Sequence, residues 1–201
     1  MNRFDASEII NGFDKTGSVI TFSDLKRLGL SAYNISLMVR EGTLERIRRG
    51  LYRIPGKVDE MSEVLEVSRL VPQGILCLLS ALSWHELTTH IPKEYYVAIP
   101  NKARKPALPE YPPIQVFYFT SCRYSIGQTT INVRGVPVRV YDKEKTICDL
   151  VYYRNRIGQD IVREALDKYI SSKDRNIQKL MRYSEKLRVS AIMKKYLEVL
   201  L

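Results

Sequence analysis

Three carboxylates and a lysine lie close together near position 145. The cluster could serve a metal-dependent nuclease, and its members are Asp142, Glu144, Lys145 and Asp149. The same spacing fits a structural arrangement, in which Asp142 caps a helix and Lys145 pairs with Asp149 one turn later. We expect the structural arrangement, so the chain is predicted not to be an enzyme, and a nuclease is kept as an alternative.

Residue types that hold metals or cofactors are present, but at spacings that do not suit them. His85 and His90 are five residues apart and would not share one helical face. There is no H-E-x-x-H motif and no glycine-rich phosphate loop. Cys77, Cys122 and Cys148 are far apart and form no C-x-x-C pair. We therefore expect no metal, no cofactor and no disulfide framework, and three buried, reduced cysteines.

The charge of the chain predicts an anionic partner. The sequence carries 32 basic and 22 acidic side chains, a net charge of +10, and its isoelectric point is about 9.5. Basic residues concentrate in two zones, at positions 40–57 and 173–195. These zones lie toward opposite ends of the chain, so each needs elements of its own to position it.

Three short helices are predicted before or within the first zone. The first covers residues 4–13, with apolar positions on one face. The second follows Ser23, its predicted N-cap, and turns Leu25 and Leu28 inward. Gly29 then supplies a tight turn. This order, continued by a third helix, is that of a helix-turn-helix.

The third helix is predicted at 32–41, between an N-cap at Ser31 and a C-terminal glycine at Gly42. Its inner face would hold Ile35, Met38 and Val39. The opposite side suits the major groove of DNA, because hydroxyl, amide and guanidinium groups bond base edges and phosphates while leucine meets a thymine methyl. The predicted DNA-contacting residues of this region are Ser31, Tyr33, Asn34, Ser36, Leu37 and Arg40.

A hairpin is predicted directly after this helix. Residues 44–49 alternate in the period-two pattern of a strand, and 51–54 can return as a second strand after a turn at Gly50. Such a wing needs cations that reach the phosphates beside the recognition helix. The predicted phosphate contacts are Arg46, Arg48, Arg49 and Arg53. We therefore predict a winged helix-turn-helix DNA-binding domain at residues 1–57.

Two stretches of this region resemble the N-terminal domain of the AbiEi antitoxins of bacterial abortive-infection systems. They are GSVITFSDLKRLGLS at 17–31 and MVREGTLERIRRGLYR at 38–53. The resemblance continues through ALSWHEL at 81–87, YYVAIP at 95–100, and GVPV at 135–138 with DKEKTICDL at 142–150. Lys145 stands where that family commonly has arginine, and Asp142-Lys143 where it commonly has a proline.

The resemblance implies a sequence-specific repressor and antitoxin of a toxin–antitoxin operon. It would bind inverted-repeat operator DNA, associate with itself there, and counter a nucleotidyltransferase-type toxin. Because the chain has no long apolar stretch and no apolar signal segment at its start, we expect a cytoplasmic protein without membrane contact.

Residues 58–201 are predicted to form a second, α+β domain with a small mixed sheet and C-terminal helices. Helices are predicted at 62–70, at 75–87 and from 143 onward. Strands are predicted at 95–99, 114–120, 129–133 and 136–141, with a hairpin turn at Arg134-Gly135.

The second basic zone follows helical spacing, with Ile177, Leu180 and Met181 predicted to face inward. Its cationic face comprises Arg175, Lys179, Arg182 and Lys186. This face is either simply solvated or a contact for phosphate, an acidic partner or RNA. The alternative function is therefore a protein- or RNA-interaction module that acts mainly through the basic C-terminal domain.

Overall fold

The computed structural model describes residues 19–55 and 60–200. The helix predicted at 4–13 and the link at Lys57 lie outside the described residues. The strands are β1 Val19–Thr21, β2 Glu45–Arg48, β3 Leu51–Arg53, β4 Ile75–Leu76, β5 Tyr95–Pro100, β6 Ile114–Phe119, β7 Gln128–Val133 and β8 Val136–Tyr141. The helices are α1 Phe22–Arg27, α2 Ala32–Arg40, α3 Glu60–Leu70, α4 Leu78–Trp84, α5 Ser121–Ser125, α6 Lys143–Tyr152, α7 Arg154–Ile157, α8 Gln159–Ser171, α9 Ile177–Lys186 and α10 Ser190–Leu200.

The chain divides into two compact units. The first takes residues 1–72, 106–112 and 132–138, and the second takes the remainder. Helix α3 therefore belongs to the first unit, although the sequence alone suggested a boundary at residue 57. The division into domains at that boundary stays a prediction.

Helix α1 starts two residues earlier than the sequence predicts. Its N-cap is Thr21, not Ser23, because the Thr21 hydroxyl accepts a hydrogen bond from the amide of Asp24 at 3.1 Å. The helix ends at Arg27, and Leu28 is its C-cap residue. Leu25 is fully buried as predicted, but Leu28 is 42% exposed, so its predicted inward position is wrong.

Helix α2 follows the prediction closely. The Ser31 hydroxyl accepts from the amide of Asn34 at 3.0 Å, which confirms the predicted N-cap. Ile35 is buried, and Met38 and Val39 pack partly buried against the same core. The buried members of that core are Ile20, Leu25, Leu30, Ile35, Leu44 and Tyr52.

The three strands of the first unit form a sheet in the order β1-β3-β2. Both pairings are antiparallel, so β3 lies in the middle and all three of its residues are buried. The hairpin turns at Gly50, whose φ of +80° favours glycine. A shift in register between Arg46 and Arg48 interrupts the strict alternation that the sequence predicts.

The larger sheet has the order β6-β5-β4-β8-β7. β5 pairs parallel with β6 and antiparallel with β4, and β4 pairs parallel with β8, so the sheet is mixed as predicted. Ile75 and Leu76 belong to β4, which corrects the helix predicted from residue 75. A short, fully buried apolar run does not distinguish a strand from a helix by periodicity. Both sheets together with the helices give a mixed α/β architecture, consistent with the α+β class.

Helix α6 is central to the second unit. Its residues from Glu144 to Val151 are all buried, although four of them are polar or charged. Helices α4, α8 and α9 contact it. Within the ranges 19–55 and 60–200, no helix is long and apolar enough to cross a membrane.

Candidate nucleic-acid interface

The outer face of α2 is exposed and polar. Tyr33 is 74% exposed, and Ser36 and Arg40 are also exposed. These three side chains follow each other at helical spacing on the side opposite Ile35. Asn34 and Leu37 are half-buried at the edge of this face. Ser31 is exposed, but its hydroxyl oxygen already caps the helix.

Two arginines of the β2–β3 hairpin project freely into solvent. Arg46 and Arg49 are exposed, and no ion pair or hydrogen bond of their side chains is found among the residues that the structure describes. Arg48 differs, because it is half-buried and donates a hydrogen bond to the carbonyl of Arg69 at 3.2 Å. The hairpin therefore offers two fully available cations and one that is partly held by α3.

Arg53 is not available to solvent. It is only 8% exposed and forms a forked pair with Glu66, in which its Nε donates to one carboxylate oxygen at 3.1 Å and its Nη2 to the other. It also pairs with Glu45 at 3.4 Å and donates to the carbonyl of Tyr111 at 2.9 Å. Burial opposes its charge, but the hydrogen bond and charge of Glu66 outweigh this effect and raise the pKa of Arg53.

This placement argues against the phosphate contact predicted for Arg53. The sequence reasoning missed Glu66, which lies on α3 between the buried residues Leu65 and Val67. A single carboxylate inside an apolar stretch of a helix is rarely buried without a partner. That signal could have indicated that an arginine elsewhere in the first unit must lie inside rather than outside.

The predicted C-terminal cationic face is only partly assembled. Arg175 precedes α9, which begins at Ile177, and so does not share the helical face. Lys179 pairs with Asp142 at 3.0 Å and with Glu144 at 2.8 Å. Its charge is thus neutralised within the second unit. Two of the predicted residues, Arg182 and Lys186, remain exposed on α9.

The carboxylates near position 145 have structural roles. Asp142 accepts from the amide of Lys145 at 2.8 Å, which confirms the predicted cap, and Lys145 pairs with Asp149 as predicted. Arg123 completes this buried group through a 2.5 Å contact to Asp149. Lys145 also lies 4.0 Å from the centre of the Tyr141 ring. Lys145 and Asp149 are fully buried, whereas Asp142 is half-buried.

His85 and the three cysteines lie within the described ranges. His85 is bonded through Nε2 to the carbonyl of Tyr141 at 2.7 Å, and burial lowers its pKa. Cys77 and Cys148 are buried, whereas Cys122 is exposed, which corrects the prediction that all three are buried. Among the described residues, no group of histidine, cysteine, aspartate and glutamate is arranged to hold a metal ion.

Most of the net charge lies in the second unit. By sequence, this unit contains 20 lysine and arginine residues against 11 acidic ones, whereas the first unit contains 12 against 11. The first unit is therefore nearly neutral as a whole, and its exposed arginines are a local concentration. Long-range attraction of an anionic partner would come mainly from the second unit.

Residues 9–55 match the family model described as "Transcriptional regulator, AbiEi antitoxin". This match confirms the resemblance over the segment that contains α1, α2 and the hairpin. The match covers less than half of the chain. No curated protein matches the chain.

One similar solved structure is "Crystal structure of RV2827C protein from Mycobacterium tuberculosis". The sequence identity is 14%, and the similarity covers 97% of this chain and 80% of that one with a TM-score of 0.49. A likeness at this level says nothing about function.

Proposed function

We propose that the segment from α1 to β3 is a winged helix-turn-helix that binds double-stranded DNA. The observation that carries the proposal is the presence of an exposed polar face on α2 beside two exposed arginines of the adjacent hairpin, which have no side-chain partner among the described residues. The family match over residues 9–55 supports it independently. The chain would act as a sequence-specific repressor and as the antitoxin of a toxin–antitoxin operon.

The two surfaces would have different tasks. Tyr33, Ser36 and Arg40 would meet base edges in the major groove, since hydroxyl and guanidinium groups distinguish bases there. Arg46 and Arg49 would bind phosphates, which hold the helix in register without reading sequence. Ser31 would donate to a phosphate while its oxygen caps α2, and Asn34 and Leu37 would lie at the flank.

Arg48 would support the hairpin more than it binds DNA, because its guanidinium is already shared with the carbonyl of Arg69. Arg53 would have no direct part. Its forked pair with Glu66 would instead fix β3 against α3 and so hold the hairpin in place. The proposed interface therefore contains fewer phosphate-binding arginines than the sequence alone predicts.

A single recognition helix reads only a few base pairs, so specific binding calls for two copies on an inverted repeat. Self-association on operator DNA follows from this requirement. A nucleotidyltransferase-type toxin encoded in the same operon would be the partner that the antitoxin counters. Such a repressor would work in the cytoplasm, where its operator is.

The test is a gel-shift series at fixed salt with the DNA upstream of the operon and with a scrambled duplex. Tyr33→Ala or Arg40→Ala should reduce the preference for the operator, because a lost base contact costs about 1–3 kcal/mol of discrimination. Arg46→Ala or Arg49→Ala should weaken binding to both duplexes and lower the salt slope by about one each. Lys93→Ala removes an exposed cation of the second unit and serves as the control. Unchanged affinities in all four variants would refute the assignment.

A second candidate function is supported by the charge of the second unit. Arg182 and Lys186 stay exposed on α9, and this unit holds most of the excess charge. They would bind phosphate, RNA or an acidic partner. The double variant Arg182→Gln/Lys186→Gln should then lose this contact while keeping the operator preference. The double variant Arg46→Gln/Arg49→Gln should instead weaken binding to both duplexes and keep the contact made by α9.

A further inference from the structure

Helix α10 has two rows of apolar side chains, and only one of them is fully inside the core. Met193 and Leu197, four residues apart, are buried in the core of the second unit. A second row, made of Ile192, Tyr196 and Val199, follows helical spacing beside them. Ile192 and Tyr196 pack half-buried against the same core, and Val199 is 77% exposed.

This second row lines a cavity of about 280 Å³ against α8. Its lining includes Arg163 of α8 and, from α10, Ile192, Lys195, Tyr196 and Val199. The volume lies near the lower end of the roughly 300–1,000 Å³ of small-molecule sites. An apolar wall with a few charged groups at its edge is typical of such sites.

Both cations of the cavity are exposed. Neither Arg163 nor Lys195 makes an ion pair or a side-chain hydrogen bond with any residue of the described ranges. The next residue along α8, Glu164, is by contrast fully engaged with Thr88, Thr89 and Lys168. The positive charge at the cavity is therefore available to a ligand.

We propose that this cavity binds a small amphipathic anion, a carboxylate attached to an aliphatic or aromatic body. The apolar body would cover Ile192 and Val199, which removes their side chains from water. The carboxylate would lie between Arg163 and Lys195, and the Tyr196 ring would border both parts.

The full-length protein can be titrated with 4-butylbenzoate and with its neutral analogue 4-butylbenzamide, while methyl signals are followed by NMR. We expect shifts confined to the Ile192 and Val199 methyl groups and their neighbours. Each exposed ion pair adds about 0.2–1 kcal/mol. Because the carboxylate would meet two cations, the benzoate should bind about twofold to thirtyfold more tightly than the benzamide.

The double variant Arg163→Gln/Lys195→Gln should bind both compounds equally. Its matched control is Arg104→Gln/Lys194→Gln, which removes two exposed cations outside the cavity lining and should keep the preference. Val199→Asp should weaken the binding of the benzoate more than the binding of the benzamide. A thermal melt of each variant shows whether it is folded.

Three results would overturn the proposal. The first is the absence of shifts at Ile192 and Val199 in the millimolar range of benzoate. The second is equal binding of the two compounds to the wild type. The third is a preference for benzoate that survives in Arg163→Gln/Lys195→Gln.

Discussion

Substitution of Arg53 distinguishes two roles for this residue. The sequence predicts an exposed phosphate contact, whereas the structure shows a buried ion pair with Glu66. In the structure its side chain is 10% exposed and faces the fully buried carboxylate of Glu66. Arg53→Ala would leave that carboxylate inside the first unit without its cation. Breaking a buried pair in this way costs about 3–5 kcal/mol. Stabilities of single domains are only about 5–15 kcal/mol, so the loss is large.

The assay is urea unfolding of the full-length variants followed by circular dichroism. Arg49→Ala, a substitution of an exposed arginine on the same hairpin, is the matched control and should change the free energy of unfolding by no more than about 0.5 kcal/mol. The double variant Arg53→Met/Glu66→Leu should recover much of the loss, because it leaves no uncompensated charge.

The refuting result is equally concrete. If Arg53 were the phosphate contact that the sequence suggests, Arg53→Ala would unfold at the wild-type urea concentration. It would also lower the slope of operator affinity against salt by about one. That combination would show that the pair with Glu66 does not hold β3 to α3.

Three further results are expected in the same unfolding assay. Burial would raise the pKa of Glu164, but hydrogen bonds from Thr89 outweigh it and lower this pKa to about 2. The ionised carboxylate of Glu164 therefore contributes fully to the free energy of unfolding above the ordinary pKa of 4.5, and this contribution is lost as the pH falls from 4.5 toward 2. Glu164→Gln should reduce the difference in the free energy of unfolding between pH 7 and pH 3. Gly127→Ala should destabilise by roughly 2–4 kcal/mol, because Gly127 has φ +70° and an added Cβ would collide with the side chain of Lys145. Ser31→Ala should cost about 1 kcal/mol through the lost cap of α2. An unchanged pH dependence of stability in Glu164→Gln, or a wild-type free energy of unfolding in Gly127→Ala or Ser31→Ala, would contradict the contact on which that prediction rests.

Local features were predictable because their causes lie within a few residues. The cap at Ser31, the buried face around Ile35 and the hairpin turn at Gly50 all follow from backbone preferences and helical or strand spacing. The two strands of the β7–β8 hairpin were also placed nearly to the residue. The predicted pair of Lys145 with Asp149 belongs to the same class, since its partners are one helical turn apart.

The fate of the charged side chains could not be predicted in this way. Arg46, Arg49 and Arg53 look alike in the sequence, but Arg53 lies on the central strand of its sheet and meets Glu66, 13 residues later. Lys179 likewise loses its free charge to Asp142 and Glu144 of α6. The helix predicted from Ile75 became a strand because β5 and β8 lie on either side of it.

The sequence by itself thus determined the order of helix, turn, helix and hairpin, the face of α2 that turns inward, and the overall basic charge. The tertiary structure decided which cations remain free. The physical reason is that local propensity acts along the chain, whereas the cost of burying a charge is met by partners brought near only when the chain folds. Among the residues that the structure describes, the candidate interface therefore has two free arginines on its hairpin, where the sequence suggested four phosphate contacts.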